Sequence, residues 1–373
     1  MNKKFWATTF TLTGTIIGAG ILGLPYVFAK SGVFIGILWL IGLGMIMMYV
    51  NLCLGEITLS TAGRHQLVGY AEKYLGKKAK RIMFFAVVFG IYSALIAYLI
   101  GEGQSLSQFF TGGLDYAIYF AIGFWIFMTL FLREGLKGLK KVELWGVMII
   151  IFLVLSITAY YFPQINTINY SYNDFNYFFL PFGVVLFSLL GFSSIPELRA
   201  EIRGSEKKLK RAIILGTLIP IILYIIFSIT FVGVLGKEVS QVATLSFGKL
   251  VTLLGIFTML TSYFVLSFSL KDVYEYDLKY SGTRDFFLVS VLPLIIYLIF
   301  HALELSFVSV LGMGGVVSGG LTGILILLIA NKVKKKKYRK PEYKILINWF
   351  IIILLSIIFI AGMIAELFGK YLF

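Results

Sequence analysis

Long apolar stretches alternate with short polar ones along the whole chain. A helix that crosses a membrane needs about 20 apolar residues, and eleven stretches come close to that length. None of them alternates apolar and polar residues with a period of two, as the strands of an outer-membrane barrel would. The pattern therefore predicts an all-α polytopic membrane protein. The eleven predicted spans lie near residues 5–29, 33–59, 82–103, 115–132, 142–162, 179–198, 209–236, 248–272, 284–303, 305–330 and 345–369.

Small residues interrupt the first span in the stretch GTIIGAGILGLP, residues 14–25. Each glycine weakens a helix by roughly 1 kcal/mol relative to alanine, and Gly14, Gly18 and Gly20 follow one another closely. Irregular backbone survives in lipid only where it is buried in protein or lines a cavity. The alternative is close packing, because Gly14 and Gly18 have the spacing of a small-xxx-small motif.

The sixth span is interrupted in the same way. Its middle combines Gly191, Ser193, Ser194 and Pro196, and serine can satisfy the backbone groups that such a break sets free. Interrupted helices at corresponding positions of two halves point to the binding site of transporters built from inverted repeats. Because the two breaks lie five spans apart, they favour a functional break over packing alone.

This spacing predicts one transmembrane transporter domain over residues 1–373. The first repeat covers about 5–162, the second about 179–330, and an extra helix follows at about 345–369. Five spans in each repeat force the two repeats into opposite orientations.

Composition agrees with a membrane protein, since 59% of the residues are hydrophobic and 14% are charged. The net charge of +15 is explained by the positive-inside bias, and no nucleic-acid partner is needed. With the N-terminus in the cytoplasm and the C-terminus outside, nearly every lysine and arginine lies on the inner side of a cell membrane. The run 334–337 would then contact anionic lipid. The four basic residues on the outer side are Lys30, Lys237, Lys249 and Lys370.

Two broken helices suit an amino acid as the ligand. The N-terminal end of a half-helix offers free amides to a carboxylate, and the C-terminal end offers carbonyls to an ammonium group or a metal cation. Such a site needs no ionised side chain, which would be costly in lipid.

Three stretches carry a family resemblance. GTIIGAGILGLPYVFAKSG resembles the first span of the amino acid–polyamine–organocation superfamily, in its hydroxy and aromatic amino acid permease branch (amino acid/auxin permease-like). LFSLLGFSSIPE resembles the sixth span of that branch, and TSYFVLSFSLKDVYEYDL resembles its eighth span and the loop beyond. The resemblance implies the 5+5 inverted repeat of the leucine-transporter fold, in which spans 1, 2, 6 and 7 rock against a scaffold of spans 3, 4, 8 and 9.

The resemblance also implies a set of substrate contacts. The carboxylate would meet the amides of Ala19 and Gly20, and Phe192 would line the side-chain pocket, unless it only packs in the core. The ammonium group would meet carbonyls near Ile16, Leu186, Phe187 and Leu189.

Either Na⁺ or H⁺ can be the coupling ion. Characterised members of the resembled branch use protons, yet the central spans carry no titratable group, and Glu102 at the outer end of span 3 is the candidate proton site. Sodium takes oxygen ligands, by the logic that governs Ca²⁺ and Mg²⁺. The residues therefore favour sodium, unless the hydroxyls only bond the carbonyls one turn back. By resemblance to sodium-coupled relatives, its site would combine the carbonyls of Gly14, Ile17 and Thr258 with the hydroxyls of Thr261 and Ser262.

The sequence predicts a secondary active transporter for neutral amino acids, aromatic or hydroxy ones among them, with no cofactor besides the ion. A passive channel or facilitator for small amino-group solutes is the alternative, but no ring of carbonyls or charges for a selectivity filter is evident. An enzyme would need a nucleophile, base or metal cluster within the spans, and the two histidines, His65 and His301, lie far apart. Neither the transported amino acid nor the oligomeric state follows from the residues.

Overall fold

The computed structural model describes residues 3–63, 65–134, 139–277, 282–335 and 338–369. Within these ranges the chain is helical and contains no strand, so the all-α prediction is confirmed. Some basic residues of the charge count lie outside the described ranges: Arg64, Lys137, Lys279, Lys336, Lys337 and Lys370. The α-helices are α1 Lys3–Ile16, α2 Gly20–Ser31, α3 Val33–Ser60, α4 Leu67–Leu75, α5 Lys77–Thr111, α6 Ala117–Glu134, α7 Leu139–Tyr161, α8 Leu180–Ser188, α9 Ile195–Glu201, α10 Leu209–Leu235, α11 Lys249–Asp272, α12 Thr283–Phe286, α13 Leu292–Ala302, α14 Phe307–Gly314, α15 Leu321–Lys335 and α16 Trp349–Phe368.

In the described part of the chain, eight continuous helical segments are long and apolar enough to cross a membrane, and the pair α1–α2 makes a ninth if it is one bent span. The protein is therefore a multi-pass membrane protein. The apolar part of α6 is shorter, and α8 and α9 have only 9 and 7 residues. The total of eleven spans and the inverted repeat stay predictions.

The helices form two contact groups. In the first, α10 packs against α1, α2 and α3, and α8 packs against α2 and α3. In the second, α5 packs against α6, α11 and α13. Other helices also contact these groups, since α4 packs against α5 and α15 packs against α3. Helix α14 contacts both α5 and α8, so it lies between them.

Close approach between α8 and the next helices depends on glycine. A π-helical segment, Gly315–Gly320, joins α14 to α15. A Cβ atom at Gly315 would lie 2.7 Å from the backbone nitrogen of Phe187, and one at Gly314 would lie 2.7 Å from the Cβ of Ser93. This part of the chain therefore packs against the first half of the broken sixth span without room for a side chain.

The segment before α16 lies along the C-terminal end of α3. The Tyr343 hydroxyl donates to the Leu52 carbonyl at 2.9 Å, and the Ile345 amide donates to the Glu56 carboxylate at 2.7 Å. From α9, the Arg199 guanidinium donates to the Thr61 carbonyl at 2.9 Å. The C-terminal end of α3 is thus connected both to the segment that leads into α16 and to α9.

Candidate functional site

The first break consists of Ile17, Gly18 and Ala19, between α1 and α2. The Gly18 amide turns back to the Ile16 carbonyl oxygen at 2.9 Å, and helical bonding resumes with the Leu22 amide donating to the Ala19 carbonyl at 3.0 Å. The axes of α1 and α2 differ by 55°. The amides of Ala19 and Gly20 are therefore at the N-terminal end of α2, where a helix has no internal acceptors for them.

The second break covers residues 189–194, between α8 and α9. The Ser194 hydroxyl donates to the Gly191 carbonyl at 3.0 Å, and the Ser188 hydroxyl donates to the Val184 carbonyl at 2.7 Å. Serine side chains thus satisfy backbone groups at this break, as expected from the sequence. Both predicted interruptions of the helices are confirmed in position.

The two breaks lie directly against each other. A Cβ atom at Gly20 would lie 2.6 Å from the Ser188 hydroxyl oxygen and 2.7 Å from the Ser188 Cα. A Cβ atom at Gly191 would lie 2.8 Å from a side-chain carbon of Ile16. Each break therefore places a glycine against the residue that ends the first half of the other span, and this reciprocal contact is the arrangement an inverted repeat would produce.

A tyrosine on α10 joins the two breaks. The Tyr224 hydroxyl lies 2.7 Å from the Ile16 carbonyl oxygen and 2.9 Å from the Ser188 carbonyl oxygen. Its side chain is fully buried. Ile16 ends α1 and Ser188 ends α8, so both carbonyls are among those that a helix C-terminus leaves without an internal donor.

A second tyrosine, on α5, contacts the amide side of the first break. The Tyr98 hydroxyl lies near the Ala19 backbone and the Ser262 side chain. It lies 3.3 Å from the position of a Cβ atom on Gly18. The break is consequently flanked by one tyrosine from each contact group.

The predicted ammonium contacts are only partly brought together. The Ile16 carbonyl lies at the meeting point, but the carbonyl that joins it there belongs to Ser188. The Leu186 and Phe187 carbonyls accept bonds from the Leu189 and Leu190 amides at 3.3 and 3.1 Å. The side chains of the remaining predicted substrate contacts, Leu189 and Phe192, are buried beside the second break.

The predicted sodium ligands contact several different parts of the protein. The Thr261 hydroxyl lies 2.9 Å from the Phe257 carbonyl and 3.0 Å from the Thr258 carbonyl, so it bonds the preceding turn of its own helix. Ser262 is beside the first break, with its hydroxyl 3.9 Å from the position of a Cβ atom on Gly18. A Cβ atom at Gly14 would instead collide with Val147 of α7.

Glu102 lies on α5 one turn beyond Tyr98 and has no solvent-exposed surface. Neither of its carboxylate oxygens has a hydrogen-bond partner of good geometry among the described residues, although the Leu260 backbone lies close by. The residue lines a cavity of about 320 Å³ between α5, α6 and α11. The other lining residues are mostly apolar or aromatic: Leu106, Phe110, Tyr119, Phe120, Gly123, Phe124, Phe127, Ile256 and Leu260.

Sequence reasoning missed Tyr98, Tyr224 and the Ser188 carbonyl. No motif marks either tyrosine, and the chain contains 22 of them. The Ser188 carbonyl could have been found, because the last carbonyls of any half-helix need outside donors and Ser188 lies within the stretch LFSLLGFSSIPE.

A model of the tryptophan/tyrosine permease family matches residues 1–366 of the chain. Glutamine transporter 2 of Aliivibrio fischeri is 25% identical over 356 residues, which cover 90% of this chain and 91% of that protein. Tyrosine-specific transport system 1 of Haemophilus influenzae is 23% identical over 373 residues, or 92% of each chain. The low affinity tryptophan permease of Escherichia coli K12 is 23% identical over 377 residues, which cover 90% of this chain and 88% of that permease.

Proposed function

The chain belongs to the tryptophan/tyrosine permease family, and we propose that it is a secondary active transporter that moves a neutral amino acid across the cell membrane. The observation that carries this proposal is the meeting of two broken helices at Gly20 and Ser188, within the membrane-spanning bundle. There, backbone amides and carbonyls come together without an ionised side chain, which suits a ligand that brings both charges itself.

The amino acid binds between the breaks. Its carboxylate accepts hydrogen bonds from the amides of Ala19 and Gly20. It accepts a further hydrogen bond from the Tyr98 hydroxyl, which already lies near Ala19. Its ammonium group donates to the carbonyls of Ile16 and Ser188, which the Tyr224 hydroxyl contacts in this structure. Leu186, Phe187 and Leu189 shape the wall beside that end.

Aromatic amino acids are the first substrates to test. The names of the Haemophilus and Escherichia relatives specify tyrosine and tryptophan, whereas the Aliivibrio relative is named for glutamine. Phe192, 5% exposed beside the second break, is the proposed contact for the substrate side chain.

The two contact groups support alternating access as the transport mechanism. Helices α1, α2, α3, α8, α9 and α10 would move as one body against α5, α6 and α11, with the site between them. Hydrogen bonds within the first body would keep its helices together: Arg199 of α9 donates to the Thr61 carbonyl after α3, and the Asp174 amide before α8 donates to the Ser31 carbonyl of α2 at 2.9 Å.

The contacts favour a proton over sodium as the coupling ion. An ionised carboxylate is costly inside a membrane, so Glu102 can exchange a proton when water enters the cavity beside it. The Thr261 hydroxyl, by contrast, is already engaged with its own helix. Sodium bound by Gly14, Ile17, Thr258, Thr261 and Ser262 is the competing proposal.

The test uses purified protein in liposomes. We expect uphill accumulation of tyrosine, tryptophan or glutamine under an inward proton gradient without sodium. Glu102→Gln, which resembles the protonated acid, should lower that accumulation at least tenfold while exchange of internal for external amino acid continues. Glu238→Gln, an exposed acid at the outer end of α10, is the matched control.

Accumulation that follows a sodium gradient at equal pH and is lost in Thr261→Ala would assign the ion to the sodium site. Equilibration without any accumulation under either gradient would indicate a passive facilitator instead.

A further inference from the structure

The Tyr224 hydroxyl occupies the position at which an ammonium group would act. It lies within 2.9 Å of two carbonyl oxygens from two different half-helices, those of Ile16 and Ser188. Its ring belongs to α10, which packs against both α1 and α2, and is completely enclosed. The contact therefore joins the C-terminal ends of both first halves through one side chain.

The Ser188 carbonyl in particular needs a donor whenever the site is closed. In lipid-buried protein no water replaces a missing hydrogen bond, and a buried acceptor without its partner destabilises the state that contains it. The Ile16 carbonyl also accepts from the Gly18 amide at 2.9 Å. For the Ser188 carbonyl, Tyr224 is the donor that the structure provides.

A tyrosine and an ammonium group differ in how many protons they offer. The hydroxyl has one proton and can serve one of the two carbonyls at a time, whereas an ammonium group has three donors. An amino acid can therefore satisfy both carbonyls at once and displace the hydroxyl from them. A lysine in place of Tyr224 would compete far more strongly, because its charge and its three donors equal those of the substrate.

We propose that Tyr224 is a positioning residue that lets the carrier close without cargo, because its hydroxyl holds the Ile16 and Ser188 carbonyls when no ammonium group does. This rests on the transport function proposed above. Substrate and Tyr224 are then alternative donors to the same pair, and the carrier has two closed forms, one loaded and one empty.

Exchange and net transport require different closed forms of the carrier. A carrier that exchanges one amino acid for another crosses the membrane loaded in both directions. Net uptake or efflux requires the empty carrier to return, which is the step that Tyr224 stabilises. The hydroxyl is therefore needed for net transport and dispensable for exchange.

Tyr224→Phe tests this, because it keeps the ring and removes the hydroxyl. In liposomes loaded with tyrosine, tryptophan or glutamine, efflux into amino-acid-free buffer should fall about tenfold relative to wild type, while exchange against the same external amino acid stays within about twofold. Tyr297→Phe, which removes a buried hydroxyl from α13, should change neither rate.

A second measurement tests the proposal even if Tyr224→Phe folds poorly. The same amino acid should raise the melting temperature of detergent-solubilised Tyr224→Phe more than that of wild type, because it supplies the missing donor and no longer competes with the hydroxyl. If Tyr224→Phe only destabilises the fold and the hydroxyl has no role in binding, the amino acid should raise the melting temperature of the variant by an equal or smaller amount.

The outcomes separate this proposal from the function it rests on. If wild type shows neither exchange nor efflux with any common amino acid, the transport function itself is wrong. If wild type transports and Tyr224→Phe keeps normal efflux, the role of Tyr224 is wrong. If the variant loses efflux and exchange together, the melting experiment decides: a larger stabilisation by the amino acid supports the proposal, and an equal or smaller one overturns it.

Discussion

The contact between the two breaks leaves no room for a methyl group at Gly20. The added Cβ of Gly20→Ala would lie 2.6 Å from the Ser188 hydroxyl oxygen, 2.7 Å from its Cα and 2.9 Å from its Cβ. One of these atoms is backbone and cannot rotate away, so α2 must separate from α8. Overpacking of this kind costs about 1–3 kcal/mol.

Melting of the purified protein in detergent measures this cost. At about 2 °C per kcal/mol for a chain of this size, Gly20→Ala should melt about 2–6 °C below wild type. Gly42→Ala is the matched control, because Gly42 lies inside α3 and a Cβ there meets nothing within 4 Å. That control should melt at or above wild type, since alanine favours a helix by roughly 1 kcal/mol over glycine.

A second substitution tests whether Ser188 is the cause. Ser188→Gly removes the hydroxyl oxygen and the Cβ, two of the three crowding atoms, and should recover part of the loss when it is combined with Gly20→Ala. Additive losses in the double variant would show that the two residues are not coupled. If Gly20→Ala melts no lower than wild type, the close contact between the breaks is wrong.

Two further predictions concern the outer face and the topology. Gly32→Ala should lower the melting temperature more than Gly76→Ala: both glycines combine a positive φ, of 103° and 91°, with an extended ψ, but only Gly32 has the Asn173 side chain 2.6 Å from the added Cβ; equal losses would show that backbone strain acts alone. With Cys53 replaced by serine, Ser171→Cys in the exposed segment after α7 should react with an impermeant maleimide on intact cells, and a reaction that needs permeabilised membranes would reverse the orientation.

Helix positions were largely predictable because each span must satisfy its backbone hydrogen bonds within its own segment. A lipid-facing segment must bond its own backbone, so length and hydropathy locate the helices. The span predicted over 179–198 corresponds to the pair α8–α9. The interruptions were visible as well, because Gly18 and Gly191 weaken a helix wherever they occur.

The partners of the freed backbone groups depended on the tertiary structure. Nothing near Ile16 or Ser188 in sequence indicates that a tyrosine of α10 lies between their carbonyls, 208 and 36 residues away along the chain. The position of a helix end shows which backbone groups lack donors or acceptors. The residue that supplies them comes from whichever helix packs there.

The same limit explains the ion candidates. From sequence, Thr261 and Glu102 were two oxygen-bearing residues on apolar helices, and the residues favoured sodium bound at Thr261 over a proton on Glu102. Packing distinguishes them, because the Thr261 hydroxyl finds carbonyls on its own helix while the Glu102 carboxylate lies buried beside a cavity. The sequence alone therefore determined that the helices cross a membrane and where two of them break, since both follow from local backbone bonding. Only the tertiary structure decided which groups meet at the breaks, because that depends on contacts between helices distant in the chain.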